Sequence, residues 1–485
     1  MAARVVIIGA GPGGYQAAVR AAQLGARVSL VEAAEVGGTC LNWGCIPTKT
    51  LLASAGALQT ARRLDEFGIK LEGSVSPDWP AMLARKDRVV QVQVQGLEKL
   101  FAFYGIELIR GRGLLNSPNQ VEVTLNEGGS RSLECDRVIL ATGSHAADLP
   151  GLARDGQHIL NSDDMFSLSE IPARLAVVGG GVVGCEFASI MSALGSQVVI
   201  IEALDRLLPL PSLDQDCSKI LLREFKKRKL KVITSMVVGG WQAGGQEVHL
   251  ELEPSPLLDH GKRLPKPQSI TVDKVLVAVG RGLNTKGLAL TQAGVERDER
   301  GAVMVDKYLR TTADGVYAVG DMLGLSRPML AHMAGAEGVA AAANALDGNE
   351  TVPYEVVPSA AFTDPEVAWV GLSPAQAAER GLETTTAVFN FRGLGKSQAM
   401  GELAGHCKLV CAQKTSRLLG AHIIGPHAAD LIHECALALQ LGATARDISR
   451  TIHAHPTLSE AVHEAAESCL GLGLHSPPAK PAAQR

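Results

Sequence analysis

No uninterrupted apolar run in the sequence reaches the roughly 20 residues that a membrane-spanning helix needs, so a membrane protein is not expected. There is no long basic run either, and the net charge is −4, which argues against a nucleic-acid partner. Nine cysteines among 485 residues are too few for a disulfide scaffold. No adjacent cysteine pair lies near the C-terminus, where Cys469 stands alone. A strand pattern begins directly after Met1-Ala2-Ala3-Arg4, so no leader peptide is expected. The expected setting is therefore cytoplasmic and reducing, where a cysteine pair is more often catalytic than structural.

What the sequence does contain begins with its length, which suits about three domains, and its 46% hydrophobic residues, enough for sizeable cores. The stretch that organises the rest is Gly37-Gly38-Thr39-Cys40-Leu41-Asn42-Trp43-Gly44-Cys45-Ile46-Pro47-Thr48-Lys49. Pro47 suits a first helical turn, which puts Cys45 at or just before a helix N-terminus. Unpaired backbone N–H groups there favour a thiolate. A five-residue offset is not a zinc-knuckle spacing, and no metal site is expected. The competing reading of Cys40 and Cys45 is two unrelated buried thiols; the cofactor motif upstream favours a redox-active disulfide.

That motif opens the chain. Val5-Val6-Ile7-Ile8, a continuous apolar run of the kind found in buried parallel strands, leads into Gly9-Ala10-Gly11-Pro12-Gly13-Gly14. An Ala-rich helical stretch follows to about Leu24, then the strand Val28–Val31, closed by Glu32 eighteen residues past Gly14. Glycines for close backbone approach, a helix N-terminus for a pyrophosphate and an acid for ribose hydroxyls make up the dinucleotide fingerprint. The unit then recurs. Leu175–Val178 leads into Gly179-Gly180-Gly181-Val182-Val183-Gly184, a helical stretch reaches Leu194, and Val198–Ile201 closes with Glu202, again eighteen residues on. Two units imply two dinucleotides. A carboxylate at Glu202 favours a free ribose 2′-OH, hence NAD over NADP; Arg206 nearby weighs the other way.

Other elements are read more coarsely. Helices are expected from Lys49 to about Leu64, from Trp79 to Tyr104 and from Met329 to Leu346. Val275–Gly280 echoes the strand Val138–Gly143, which suggests that the second unit is inserted in the first domain. The acid Asp321 ends a further strand and is either a ligand contact or a helix cap. Cys407 and Cys411 fall four apart in a strand, about 13 Å at ~3.3 Å per residue, and are read as core, like Cys135, Cys185, Cys217, Cys435 and Cys469. In His453-Ala454-His455-Pro456-Thr457-Leu458-Ser459-Glu460, Pro456 can open a helix that carries Glu460. The expected fold is α/β, with two Rossmann-like dinucleotide-binding domains, the second inserted in the first, and a C-terminal α+β dimerisation domain. The expected boundaries are 1–148, 149–273, 274–350 and 351–470, with a disordered Pro-rich tail at 471–485.

On GGTCLNWGCIPTK, GGGVVGCE, VYAVGD with MLAH, and HAHPTLSE, the chain resembles the flavin disulfide reductases and, within them, the dihydrolipoamide dehydrogenase family, over roughly residues 4 to 470. The resemblance implies FAD in the first unit, against Gly9, Gly11, Gly14, Glu32, Lys49, Gly113, Thr142, Gly143, Asp321 and the segment Met329, Leu330, Ala331 and His332. It implies NAD in the second, against Gly179, Gly181, Gly184, Glu186, Glu202, Val237 and Gly280; Glu186 also matches the family's acid that pairs with the lysine equivalent to Lys49 near the flavin. It implies that Cys45 contacts the flavin, that Cys40 exchanges with substrate, and that His455, oriented by Glu460, is the base, reaching the site from the other subunit of a homodimer. Partners would be the lipoyl domains of 2-oxo acid dehydrogenase or glycine cleavage complexes. The stretch Phe391–Lys396 is less typical of that family.

The chemistry follows from the residues. A dithiol must become a thiolate to attack a disulfide, and a histidine with an ordinary pKa of about 6.5 suits the base. The rivals are a glutathione-, trypanothione- or mercuric-reductase-like enzyme, a flavin transhydrogenase, and a non-catalytic structural subunit. Glu202 argues against the NADP-linked members, the missing cysteine pair near the C-terminus against mercuric reductase, and the retained Cys40, Cys45 and His455 against the last two.

Overall fold

The computed structural model describes residues 2–258 and 265–475. The chain forms two compact units. One comprises the residues up to Asp148, Ser162–Glu170 and Gly280–Tyr354; the other comprises Leu149–Asn161, Ile171–Val279 and the chain from Glu355 on.

The first unit is built on a seven-stranded sheet ordered Val316–Ala318, Arg137–Leu140, β1 (Arg4–Ile8), β2 (Arg27–Glu32), Glu107–Ser117, Gln120–Leu125 and Ser130–Glu134. The first four junctions are parallel and the last two antiparallel. Val5, Val6, Ile7 and Ile8 are all buried, as a strand covered on both faces requires. At ~1.5–3 kcal/mol for each such side chain, this run anchors the core. Helix α1 (Pro12–Gln23) buries Ala17, Ala18 and Ala21 and packs against the helix Ala331–Ala345. A Cβ at Gly338 would run into the carbonyl of Gly13, so the two helix backbones meet through small residues. The helix expected from Trp79 is observed as Trp79–Phe103, capped by the Asp78 carboxylate, which accepts from Ala81 N–H at 3.0 Å.

In the second unit, a five-stranded parallel sheet is ordered Lys231–Thr234, β3 (Gln197–Glu202), β4 (Arg174–Val178), Lys274–Val277 and Ile159–Leu160. This corrects one boundary. Sequence assigns residues 274–350 to the return of the first domain, whereas Lys274–Val277 pairs with Leu175–Val178 inside this sheet. The echo of the earlier strand arises because each unit places such a strand beside its glycine-loop strand. The return begins at Gly280, and Ser162–Glu170 also belongs to the first unit. Val237 lies in an antiparallel three-stranded sheet of Met236–Gly244, Glu247–Pro254 and Gln268–Val272.

The C-terminal part is α+β, as its texture suggests. An antiparallel sheet, ordered Ser359–Ala361, Glu366–Gly371, Leu418–Gly425, β5 (His406–Ala412) and Thr384–Asn390, carries the helices Ala428–Gln440, Ala445–Arg450 and α2 (Glu460–Cys469). Pro456 does not open the helix that carries Glu460. Residues 456–459 form a turn and α2 starts at Glu460, because Glu460 Oε2 accepts the Thr457 N–H at 2.8 Å and folds the preceding backbone back on itself. Of the expected tail, residues 471–475 form a turn with His475 Nδ1 2.6 Å from Glu464 Oε1, and residues 476–485 lie outside the described residues.

An ion triad, buried at Lys408 and Asp214, holds β5 to the helix Gln215–Lys227. Lys408 Nζ donates to Asp214 Oδ2 at 2.8 Å and to Asp216 Oδ2 at 2.6 Å, with Lys408 and Asp214 both buried. Removing one member of such a set strands the other charge. Lys408→Met should cost about 3 kcal/mol in urea unfolding, and adding Asp214→Asn should restore part of it. The hydrogen bond from Lys408, against the cost of burial and with help from Lys219, holds the Asp216 carboxyl down at about 2 from the usual 3.8. A carboxylate depressed in the folded state stabilises above its unfolded pKa and loses that contribution as pH falls through the folded value. Denaturation curves between pH 5 and pH 2 should therefore show wild type losing stability more steeply from about pH 4 to about pH 2 than Asp216→Asn does.

Candidate redox and dinucleotide sites

The two glycine loops have the same construction. Gly9 has φ +104° and Gly179 has φ +111°, in the region that excludes ordinary side chains. A Cβ at Gly14 would overlap the carbonyl oxygen of Gly9, and one at Gly184 that of Gly179, so the helix can approach the strand only if both positions are glycine. The helix N-caps are Gly11 (φ −69°, ψ −177°) and Gly181 (φ −73°, ψ −172°), the latter opening α-helix Val182–Leu194; neither helix has a side-chain cap. The first-turn N–H groups of both helices therefore face the loop, where an anion is favoured.

Glu32 Oε2 accepts the Ala10 N–H at 2.6 Å, and Oε1 accepts the Ala34 N–H at 2.7 Å. In the second unit, Glu202 Oε2 accepts the Gly180 N–H at 2.6 Å, and Oε1 accepts the Leu204 N–H at 2.7 Å. Each carboxylate thus clasps its glycine loop to the turn after its own strand. Four lone-pair positions on a carboxylate leave acceptors for ribose hydroxyls. Arg206 is turned away from that role: its guanidinium donates to the carbonyls of Leu210 at 2.7 Å and Leu213 at 3.3 Å. Uncapped helix ends, glycines with no room for a Cβ and a ribose-type acid fit a dinucleotide at both loops.

The cysteine stretch contains a feature that sequence did not indicate. Cys40 lies on a short helix, Gly38–Asn42, and Cys45 is the first residue of the next, Cys45–Ala61. That second helix starts at Cys45, as Pro47 in a first turn leads one to expect, and ends at Ala61 rather than at about Leu64. Gly44 joins the two with φ −135° and ψ −108°, and a Cβ there would come within 3.0 Å of the Thr39 carbonyl oxygen. The bend brings the two thiols into hydrogen-bond contact. Cys40 donates to Cys45, and that bond, together with burial, pushes the Cys40 thiol well above its usual value. The proton is held on Cys40, and Cys45 at the helix N-terminus is the acceptor. Lys49, one turn on, places its positive charge near the pair.

Elsewhere in the first unit, Asp321 sits in the turn of helix Gly320–Leu323 rather than at its N-cap, which is Val319. Its carboxylate accepts from the Ser144 hydroxyl and lies 3.6 Å from Arg281 Nε, which itself donates to Ser144 Oγ at 2.6 Å. Thr142 Oγ1 donates to the Asn284 carbonyl at 2.7 Å, and Gly143 has φ +66°. Ser144, Arg281 and Asn284 carry no motif, and only the antiparallel pairing of Ser144–Ala146 with Arg281–Leu283 brings them to this place. Gly113 lies on the strand Glu107–Ser117, where a Cβ would press on Ile8 at 3.0 Å. Leu330 is the N-cap of the helix that begins at Ala331 and His332, with Met329 preceding it. Gly280, with φ +139°, is the first residue of the first unit's return, and in the second unit Val237 pairs with Glu253 across its ladder. Glu186 is buried and accepts the Phe362 N–H at 2.9 Å.

His455 is exposed, and its Nδ1 lies 2.9 Å from Glu460 Oε1. Burial pushes the Glu460 carboxyl up, but the hydrogen bonds from His455 and the Thr457 N–H outweigh it and hold the group below its usual range. The carboxylate is therefore ionised and holds the His455 ring through Nδ1, leaving Nε2 as the ring nitrogen able to accept a proton. Sequence did not single out His453. Its ring is buried, Nε2 lies 2.9 Å from Glu434 and Nδ1 2.9 Å from the Thr451 carbonyl. The hydrogen bond to Glu434 is the main cause of its raised pKa.

Among the described residues, no helix is long and apolar enough to cross a membrane. Residues 3–338 match the family model for pyridine nucleotide-disulphide oxidoreductases, and residues 357–466 match that family's dimerisation domain. The chain is 42% identical over 477 residues to a dihydrolipoyl dehydrogenase of Chlamydia trachomatis, covering 98% of each chain. It is 38% identical to a mitochondrial dihydrolipoyl dehydrogenase of Pisum sativum, covering 97% of this chain and 92% of the other. Among solved structures it is similar to LpdA from Mycobacterium tuberculosis, with a TM-score of 0.87 and 28% identity, covering 96% of this chain and 99% of the other. With two dinucleotide loops, a thiol pair in contact and a dimerisation domain all matched in order, this chain belongs to the pyridine nucleotide-disulphide oxidoreductases, enzymes that use FAD and NAD.

Proposed function

We propose that the protein is a dihydrolipoamide dehydrogenase, which oxidises protein-bound dihydrolipoamide to lipoamide through a Cys40–Cys45 disulfide, with hydride passing to NAD+. The observation that carries this reading is the thiol pair, with its proton on Cys40 and Cys45 at a helix N-terminus, in a chain that has relatives named dihydrolipoyl dehydrogenase at 36–42% identity.

In this reading, Gly9, Gly11, Gly14 and Glu32 hold the FAD diphosphate and ribose. Lys49, Gly113, Thr142, Gly143, Asp321 and Met329–His332 line the remainder of the flavin site. Gly179, Gly181, Gly184, Glu202, Val237 and Gly280 hold NAD, with Glu186 beside the nicotinamide and flavin. Bound FAD supplies two-electron chemistry between a thiolate and nicotinamide. Arg206, occupied by the Leu210 and Leu213 carbonyls, favours NAD over NADP.

The protein's own residues do the thiol chemistry. His455 Nε2 takes the proton of one dihydrolipoamide thiol while Glu460 stabilises the imidazolium, as the acid of a hydrolase triad does. The resulting thiolate attacks Cys40 Sγ, the Cys40–Cys45 bond breaks, and Cys45 leaves as a thiolate. The second substrate thiol gives its proton to the departing Cys40 sulfur and attacks the sulfur bound to Cys40, closing lipoamide and releasing Cys40 as a thiol. Two electrons and two protons have then left the dithiol. His455 would come from the partner subunit of a homodimer, and the substrate-bearing partners would be lipoyl domains of 2-oxo acid dehydrogenase or glycine cleavage complexes in the cytoplasm.

An anaerobic titration tests this. Dihydrolipoamide added to the holoenzyme should give a long-wavelength thiolate-to-flavin band, and NAD+ added next should yield NADH at a catalytic rate. Cys40→Ser should abolish that turnover. If dihydrolipoamide leaves the flavin oxidised while NADH or NADPH reduces it, the substrate assignment fails. His455→Gln should lower kcat with dihydrolipoamide by about 10²–10⁴-fold while leaving NADH-to-flavin transfer, measured by stopped flow, near the wild-type rate.

A further inference from the structure

Seven cysteines lie outside the redox stretch, and two of them meet. Cys411 is on β5, with its side chain buried at 1% exposure; Cys469 is the last residue of α2 and half-buried. The end of α2 rests on the cross-strand pair Ala387–Leu409. Cys469 Sγ lies 4.0 Å from the Leu409 carbonyl oxygen and accepts the Ala387 N–H. Cys411 is two residues beyond Leu409, on the same face of the strand and in the same core. This brings the Cys411 and Cys469 thiols into mutual hydrogen-bond contact. The only other cysteine pair in such contact among the described residues is Cys40 with Cys45. Cys407 and Cys435 share the core and are fully buried, and among the described residues no thiol hydrogen bond contributes to the raised pKa of either.

We propose that Cys411 and Cys469 are a second redox-active dithiol, which closes to a disulfide stapling the C-terminal end of α2 to β5. The two positions play different parts. The hydrogen bonds from Cys411 and the Ala387 N–H hold the Cys469 thiol below its usual pKa, and Cys469 is also the more accessible of the two. The Cys411 thiol is pushed up by its bond to Cys469 and by burial. Cys469 is thus the attacking thiolate and Cys411 the resolving thiol. With a small dialkyl disulfide as oxidant, the Cys469 thiolate attacks one oxidant sulfur, forms a mixed disulfide and expels one thiol. Cys411 then attacks Cys469 Sγ, forms the Cys411–Cys469 bond and expels the second thiol. The protein dithiol loses two electrons and two protons, and the oxidant gains them. The pair takes no part in the dinucleotide or Cys40–Cys45 chemistry. It does bear on the element that carries Glu460, since Glu460 opens the ten-residue helix that Cys469 ends.

The test uses the full-length FAD holoenzyme exposed to 2-hydroxyethyl disulfide, quenched with N-ethylmaleimide under denaturing conditions, digested without reduction and mapped by mass spectrometry. A peptide cross-linked through Cys411 and Cys469, separate from the Cys40–Cys45 species, is expected. The oxidised form should also melt on the order of 5 °C above the reduced form, because the bond closes a long loop. In Cys469→Ser both the cross-link and the melting difference should vanish, while activity under reducing conditions stays at the wild-type level. Recovery of both Cys411 and Cys469 as alkylated thiols would overturn the proposal. So would a stable mixed disulfide at Cys469 beside an alkylated Cys411.

Discussion

The carboxylate clasp at the end of the second strand is the constraint on which both nucleotide-type units depend. Glu32 and Glu202 are buried, and a buried carboxylate is costly unless its oxygens are bonded. Each answers that cost with two short backbone N–H bonds, one to the glycine loop and one to the turn following its own strand. Charge-assisted bonds of this kind contribute ~1.5–3 kcal/mol each. The clasp fixes where the loop sits relative to the sheet. The missing Cβ atoms at Gly14 and Gly184 then let the helix close against Gly9 and Gly179. The outcome is a helix N-terminus whose N–H groups have no side-chain cap and converge on one point, an arrangement suited to a diphosphate.

The redox stretch solves a different problem. A single continuous helix would carry Cys40 and Cys45 five positions apart, around one and a half turns. Breaking the chain at Gly44 turns the end of one short helix toward the start of the next and brings the sulfurs together. At the start of the second helix, Cys45 lies where partial positive charge supports a thiolate, and Cys40 keeps the proton. The C-terminal unit uses the same logic with other groups. Glu460, held by the Thr457 N–H, fixes one ring nitrogen of His455 and leaves the other exposed. His453, tied at both ring nitrogens, is fully committed to holding its loop.

Where the sequence was misread, a non-local contact decided the matter. Pro456 is a fair helix opener on local grounds, but the Glu460-to-Thr457 bond starts the helix four residues later. The strand at Lys274–Val277 looks like its counterpart at Arg137–Leu140 because both lie beside a glycine-loop strand; only the ladder says which sheet each one joins. Cys411 and Cys469 both read as core in the sequence, yet across the fold Cys411 meets Cys469, 58 positions away, because α2 folds back over β5.

The sequence by itself determined the two dinucleotide fingerprints, the acids that close them, the cysteine pair and the His455–Glu460 couple. Each is a short-range pattern whose chemistry depends on residue type and spacing along a few turns of chain. Tertiary structure alone decided which groups those patterns meet: Ser144 and Arg281 at Asp321, the Leu210 and Leu213 carbonyls at Arg206, Lys408 between Asp214 and Asp216, and Cys469 at Cys411. Such contacts join residues from 4 to 194 positions apart through hydrogen bonds of a few ångströms, and nothing in local periodicity encodes a distance that only the packed sheets and helices set.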